Sequence, residues 1–332
     1  MSERRDALDP QVEAVVDEIR RLGVPEWHAM SVDCARRVED DLFTPDGEPD
    51  DDGIEYVRDL AFETSDVSVD FADATAAPDE IPVRVYRPAG DGPFPTLVYY
   101  HGGGWTLGTL DSIDGVCREF ARRANCLVVS VDYRLAPEHP FPTAVDDAYA
   151  TVEWVADHAS AFDGDPTRLG VAGTSAGGNL AAVTALRARE MDGPTISHQT
   201  LLYPMISRAF DRDSYTENAE GYLLSTRDVR WFWEQYLRSP VDAYNPFAAP
   251  ILAADLSDLP PATVVTAGYD PLRDEGVAYA DRLADEGVAV EHRHYPGMVH
   301  GFLSLTDDVD AAEEAMTTVA DDIRGQLGAL DE

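Results

Sequence analysis

A serine set between glycines is the residue of this chain best placed to do covalent chemistry. Gly173-Thr174-Ser175-Ala176-Gly177 follows a strand-like apolar segment (168–172) and precedes a helix-like one (179–186). Strand, glycine-flanked turn and helix is the setting in which G-x-S-x-G forms a nucleophile elbow, with the hydroxyl lifted clear of the sheet. Gly173 and Gly177 have no Cβ to obstruct the chain reversal. The helix start beneath offers free N–H groups to an anion. Such a serine becomes a nucleophile when a base takes its proton and a carboxylate orients that base.

A second glycine run, His101-Gly102-Gly103-Gly104-Trp105, follows the apolar segment 96–100. H-G-G-G is the partner of G-x-S-x-G in building an oxyanion hole. The N–H groups of Gly103, Gly104 and Ala176 are the expected donors to the negative oxygen of a tetrahedral intermediate. Loss of one such donor typically costs about 10²–10³ in rate. The order Ser, Asp/Glu, His places acid and base downstream of Ser175. Of the eight histidines, His198, His292, His294 and His300 qualify. His198 lies beside a predicted strand start, and His292 and His294 alternate with Arg293 within a strand. His300 stands in a predicted loop, 296–302, between the last strand and the last helix, where a base at the top of a sheet belongs. Asp270, at the end of the strand predicted over 263–267, is the favoured acid. Asp274 and Glu275 are rivals, although at a helix start an acid also serves for capping and for the helix dipole.

The elements that must position these groups alternate along the chain. Val12, Val15, Val16 and Ile19 fall at helical spacing, with Gly23 and Pro25 as a stop. The stretch 44–53 reads as an exposed acidic loop; it lacks the spacing of a calcium-binding loop. Segments 67–71 and 81–86 alternate as antiparallel strands that open a sheet. Continuous apolar runs at 96–100 and 127–131 read as buried central strands. Helices over 144–159, after Ser175, over 275–285 and over 309–327 alternate with strands at 168–172, 200–203, 263–267 and 288–295. This pattern predicts an α/β fold with a mostly parallel sheet flanked by helices. Residues 205–250 carry no strand but hold Trp231, Phe232, Trp233, Tyr236 and Leu237 in a helix-like run. They read as an insertion over the C-terminal ends of the strands, where open α/β sheets bind ligands. The expected organisation is 1–50 as the N-terminal part of a helical cap, 51–205 and 251–332 as the core, and 206–250 as the cap insertion.

Composition narrows the chemistry further. The 332 residues include 63 acidic against 25 basic side chains, a formal charge of −38, and every basic residue is arginine. Dispersed acid with ordinary aromatic content predicts a carboxylated folded surface that repels itself at low ionic strength and is screened by salt. Adaptation to molar salt, in a halophile, is the expected cause. No basic patch exists to neutralise phosphates, so nucleic acid is not an expected partner. The absence of lysine excludes a Walker A loop, Schiff-base and pyridoxal enzymes and S-x-x-K hydrolases. No G-x-G-x-x-G opens a βαβ unit. Three widely spaced cysteines, Cys34, Cys117 and Cys126, form neither a disulfide framework nor a zinc site and read as small buried residues. No run is long enough for a membrane span and no apolar leader is visible, so a cytoplasmic location is expected.

Taken together, YYHGGGW (99–105), VDYRLAPEHPFP (131–142), GTSAGGN (173–179), DPLRDEG (270–276) and HGF (300–302) resemble the hormone-sensitive-lipase-like carboxylesterases of the α/β-hydrolase fold. The resemblance covers residues 80 to 305. It implies Ser175 as nucleophile, Asp270 as acid and His300 as base, with Gly103, Gly104 and Ala176 as oxyanion donors and His101 as a structural residue of the loop. Thr174 departs from the commoner Asp at that position. The implied activity is hydrolysis of neutral, short-to-medium acyl esters through an acyl-enzyme, with no cofactor and no metal, and a homodimer is compatible with it. Activity is expected to fall on the acid side as the imidazole protonates. The alternatives are an amidase, formamidase or peptidase on the same fold, and a ligand-binding receptor that keeps the fold without catalysis. The cap aromatics Trp231, Trp233 and Tyr236 serve either an apolar substrate pocket or the cap's own core.

Overall fold

The apolar runs come together as the middle of one sheet. The computed structural model describes residues 7–44, 53–69 and 78–328. Its strands are β1 Ile54–Glu63, β2 Glu80–Pro88, β3 Phe94–Tyr100, β4 Leu127–Val131, β5 Gly164–Thr174, β6 His198–Leu202, β7 Ala262–Tyr269 and β8 Val290–Val299. They form an 8-stranded sheet in the order β1-β2-β4-β3-β5-β6-β7-β8. β1 with β2 and β2 with β4 are antiparallel, and every pair from β4 to β8 is parallel. Strands covered on both faces need apolar side chains on both, which is why β3 and β4 are buried at every position.

The helices are α1 Pro10–Leu22, α2 Val32–Phe43, α3 Asp114–Ala124, α4 Thr143–His158, α5 Ala176–Glu190, α6 Ser214–Glu217, α7 Thr226–Tyr236, α8 Arg273–Asp285 and α9 Asp310–Gly328. Successive residues of β3 face opposite sides. Val98 and Tyr100 join a core with Val152 of α4, Leu180 of α5 and Leu283 of α8. Leu97 and Tyr99 join a second core with Phe120 of α3 and Val319 of α9. The sheet thus lies between two helical layers, and the C-terminal ends of its parallel strands meet at one edge of the sandwich.

Several expectations need correcting. The first strand is β1, over residues 54–63, not 67–71: Val67, Ser68 and Val69 are not in a strand, and Asp70 and Phe71 lie outside the described residues. β1 is an edge strand with a register shift between Ile54 and Tyr56. Its Glu55, Arg58 and Asp59 mask it in the sequence, as charges on sheet edges do. α3 was not foreseen, although Val116, Cys117, Phe120, Ala121 and Ala124 make one buried stripe. β8 runs on through Val299, so His300 follows the strand end directly and does not stand in a loop begun at residue 296. Cys117 and Cys126 are buried but Cys34 is only half-buried, and all three are free thiols. The acidic stretch 44–53 lies outside the described residues except for Thr44 and Gly53. Among the described residues no helix is long and apolar enough to cross a membrane.

Candidate active site

Main-chain crowding fixes where Ser175 sits. It occupies the sharp junction of β5 and α5 with φ 58 and ψ −113, a left-handed conformation that a non-glycine residue adopts at a cost of about 1–3 kcal/mol. A Cβ on Gly173 would stand 2.2 Å from the Gly177 carbonyl oxygen, and one on Gly177 would stand 2.0 Å from that of Tyr100. Both positions therefore require glycine. The Ser175 N–H donates to the Leu202 carbonyl of β6 at 2.8 Å, pinning the elbow to the neighbouring strand.

The loop after β3 lies beside the elbow and is shaped from behind. Gly103 and Gly104 have φ 96 and φ 58. A Cβ on Gly104 would lie 2.1 Å from the Phe232 ring, and one on Gly103 would lie 2.3 Å from the Leu107 carbonyl oxygen. The buried His101 ring stacks on Tyr133 at 4.1 Å, and its Nδ1 meets the Gly102 carbonyl at 2.8 Å. Burial pulls its pKa down to about 4. Tyr133 donates its hydroxyl to the His101 carbonyl at 3.0 Å. Arg134 pairs with the fully buried Asp147 at 2.7 Å. Arg36 of α2 donates to the carbonyls of Thr106 (2.9 Å) and Ala136 (3.0 Å). The motif at 131–142 is thus the buttress of the glycine loop. Ala176 is the first residue of α5, so its N–H has no partner within the helix.

The expected acid and base, Asp270 and His300, come from the neighbouring strand ends. Asp270 follows β7 and is fully buried. Its Oδ1 accepts from the Leu272 N–H at 2.8 Å and its Oδ2 from His300 Nδ1 at 2.8 Å. His300 Nε2 lies 3.0 Å from Ser175 Oγ. Tyr203 sets its ring against that of His300 at 5.0 Å. Ser175, His300 and Asp270 thus form one unbroken hydrogen-bonded line, although they come from three separate loops. The rivals are elsewhere. Glu275 accepts from the N–H groups of Ile206 (2.7 Å) and Ser207 (3.1 Å) and from the Tyr215 hydroxyl (2.7 Å), and burial pushes its pKa up to about 8. Asp274 pairs with Arg273 at 2.8 Å and accepts from the Ser214 N–H at 2.9 Å. Neither caps its own helix; both tie the 205–217 segment to α8. His198 is buried in β6, with its pKa pulled down to about 4 by burial. His292 and His294 share Thr266 Oγ1, at 2.8 and 2.9 Å.

A cavity of about 270 Å³ opens over the serine, lined by Ser175, His300, the glycines 102–104 and, from above, α1, α2 and residues 221–232. Phe232 faces it. Trp231, Trp233 and Tyr236 do not: Tyr236 stacks on Trp105 at 3.9 Å, with Trp233 beside them at 4.8 Å from Trp105. Those aromatics are the core that seats the cover on the glycine loop. The cover is also clasped to itself, since Asp228 Oδ1 accepts from the N–H and the Nδ1 of His28, both at 2.9 Å.

Residues 97–304 match the family described as the alpha/beta hydrolase fold, well over half of the chain. The chain belongs to that family. Within it, this α/β hydrolase falls among the hormone-sensitive-lipase-like carboxylesterases and is an enzyme of the ester-hydrolase type. It is similar to the carboxylic ester hydrolase LipN of Mycobacterium tuberculosis, 51% identical over 232 residues, 68% of this chain and 62% of LipN. The matched stretch thus spans less than two thirds of that relative. The ethyl acetate hydrolase of Pseudomonas putida is 35% identical over 332 residues, covering 97% of this chain and 100% of that protein. Among solved structures, a thermostable esterase from Pseudomonas putida superposes with a TM-score of 0.89 at 33% identity, covering 99% of this chain and 100% of the other.

Phe232, in the helix-like run of the insertion, Arg273, in the motif at 270–276, and Asn218 and Glu39 have work at this α/β-hydrolase site that the sequence alone does not reveal. Phe232 closes over Gly104. Asn218 of the cover donates to the Gly268 and Asp270 carbonyls at 3.2 and 3.0 Å. Arg273, buried, donates to the same Gly268 carbonyl at 3.2 Å. Glu39 of α2 lines the cavity, 8% exposed. Helical periodicity marks such residues as inward-facing but does not say what they meet.

Proposed function

We propose that this chain is a serine carboxylesterase that cleaves neutral, short-to-medium acyl esters through an acyl-enzyme. The observation that carries the reading is the continuous line Ser175 Oγ–His300 Nε2 (3.0 Å) and His300 Nδ1–Asp270 Oδ2 (2.8 Å) at the floor of the cavity. Neutral His300 accepts the Ser175 proton on Nε2 as Oγ attacks the ester carbonyl. The N–H groups of Gly103, Gly104 and Ala176 receive the oxyanion. Asp270 holds the Nδ1–H tautomer and stabilises the imidazolium. His300 then protonates the leaving alcohol, and water repeats the sequence on the acyl-enzyme to release the acid. Each step uses only groups of the chain, the ester and water. Residues 1–50 and 206–250 act as the cap. Glu26, Glu39 and Asp228 outnumber Arg20 among the acidic and basic groups that line the cavity, which disfavours an anionic substrate and favours neutral esters.

The test is labelling by a fluorophosphonate probe, together with rates on p-nitrophenyl esters of increasing acyl length in molar KCl. Ser175→Ala should abolish both labelling and turnover while leaving the melting temperature close to that of the wild type. Faster cleavage of anilides or formamides than of matched esters makes the chain an amidase. Absence of labelling in the wild type makes it a binding protein.

A further inference from the structure

Glu39 lines the cavity but takes part in no step of ester hydrolysis. It projects from α2 and lines the cavity together with Leu42, Phe43, Leu107 and Ile113, yet it is only 8% exposed. A carboxyl among apolar side chains is costly unless something pairs with it. Ser112 and Gly108 lie beside its carboxyl, the Ser112 hydroxyl donating to the Thr109 carbonyl at 3.2 Å, and Asp40 adds like charge. The cations nearby are engaged elsewhere: Arg36 pairs with Glu138 at 2.7 Å and Arg20 with Asp17 at 2.9 Å. Among the described residues no arginine pairs with Glu39. Gly108 itself lies against the oxyanion loop, since a Cβ built there would stand 2.8 Å from the Gly102 carbonyl oxygen. Glu39 therefore stands beside Gly108, which borders the glycine loop, and faces the cavity.

We infer that Glu39 is a specificity-determining residue that accepts a hydrogen bond from an aliphatic hydroxyl on the substrate, so that the preferred esters are hydroxylated close to the scissile carbonyl. The inference rests on the esterase reading and names the substrate class of that same site. Burial also pushes the Glu39 pKa up to about 7. Near neutrality the side chain is then present both as an acceptor-only carboxylate and as an acid with an O–H to donate, and a hydroxyl complements either form. A site built to hydrogen-bond a substrate hydroxyl rejects the analogue without it, because its own polar group is then left unpaired.

The test uses ester pairs in which a methyl replaces the hydroxyl: methyl 3-hydroxybutyrate against methyl 3-methylbutyrate, and 2-hydroxyethyl butyrate against propyl butyrate. In the wild type the hydroxylated member of at least one pair should have the higher kcat/KM. In Glu39→Leu that preference should fall about tenfold, with kcat/KM for the plain ester rising. In Glu39→Gln, which keeps an acceptor, it should fall less than threefold. Fluorophosphonate labelling of Ser175 in each variant reports an assembled site. A wild type that prefers the plain member of both pairs overturns the assignment without recourse to any variant. So does a labelled Glu39→Leu with unchanged ratios. A labelled Glu39→Leu that loses both members of each pair equally also overturns it, and makes Glu39 a support of the glycine loop. A wild type that neither labels nor hydrolyses any ester fails the esterase reading itself, a result distinct from an esterase without hydroxyl preference.

Discussion

Adding one methyl group at Gly104 tests whether the glycine loop is held by the cap. In Gly104→Ala the new Cβ would lie 2.1 Å from Cγ and Cδ1 of Phe232 and 2.7 Å from its Cβ. Carbon atoms rest at about 3.5–4.0 Å, so loop and ring must separate by about 1.5 Å. The positive φ of 58 adds a penalty of about 1–2 kcal/mol for any L side chain. A displacement of about 1 Å at a reacting centre costs roughly 10² in rate, and loss of an oxyanion donor about 10²–10³. The expected fall in kcat on p-nitrophenyl butyrate is therefore about 10²–10³. Measured in a Phe232→Ala background, the same substitution should cost about tenfold less. Truncation removes the two atoms at 2.1 Å but leaves Cβ at 2.7 Å, so relief is partial. Two results would refute the reasoning: Gly104→Ala within threefold of wild type, or an equal penalty in both backgrounds.

Other outcomes follow from the same geometry. Asp270→Asn keeps the volume but loses the acceptor for His300 Nδ1–H, and kcat should fall by about 10³–10⁴, as read in steady-state ester hydrolysis. Stability should decline as pH rises from about 6.5 to 8. Glu39 and Glu275 have folded pKa values of about 7 and about 8 against an ordinary 4.5, so the folded chain keeps protons that the unfolded chain has released, and their contribution is lost through those values. Between 4.5 and 6.5 this trend is offset by His101 and His198, lowered to about 4 from 6.5, whose contribution is lost as pH falls. Melting curves across pH should show the alkaline decline, and Glu275→Gln should remove a large part of it. With a formal charge of −38, the melting temperature should rise from low salt to 1 M KCl, where the screening length shrinks to about 3 Å. A flat response would remove the case for salt adaptation.

Much of the site was legible because its constraints are local. An elbow needs glycines on both sides of its serine, and H-G-G-G needs residues without Cβ atoms; both leave fixed strings. Asp270 was legible because it falls just after an apolar strand, and His300 because it lies between the last strand and the last helix. What stayed hidden depends on partners remote in sequence. Trp231, Phe232 and Trp233 are consecutive aromatics of one helix, and only the fold, with Trp233 and Tyr236 packed on Trp105, shows that Phe232 is the one lining the cavity. Glu275 looked like a helix-start acid; its role in holding Ile206 and Ser207 needs the fold. β1 was missed because an edge strand is half solvent-exposed and carries charge at positions where a central strand would carry valine.

The perch of Ser175 has a practical consequence for redesign. It is built from carbonyl and glycine atoms of β3, β5 and α5, with no variable side chain in the crowding that defines it. Rewriting the residues that drape over the cavity, in 10–43 and 221–232 but sparing Arg36 and Phe232, which meet the glycine loop, therefore leaves the Ser175 oxygen where it stands. The scaffold separates what reacts from what is chosen, and libraries confined to the drape can search for new esters with the reactive centre as a constant.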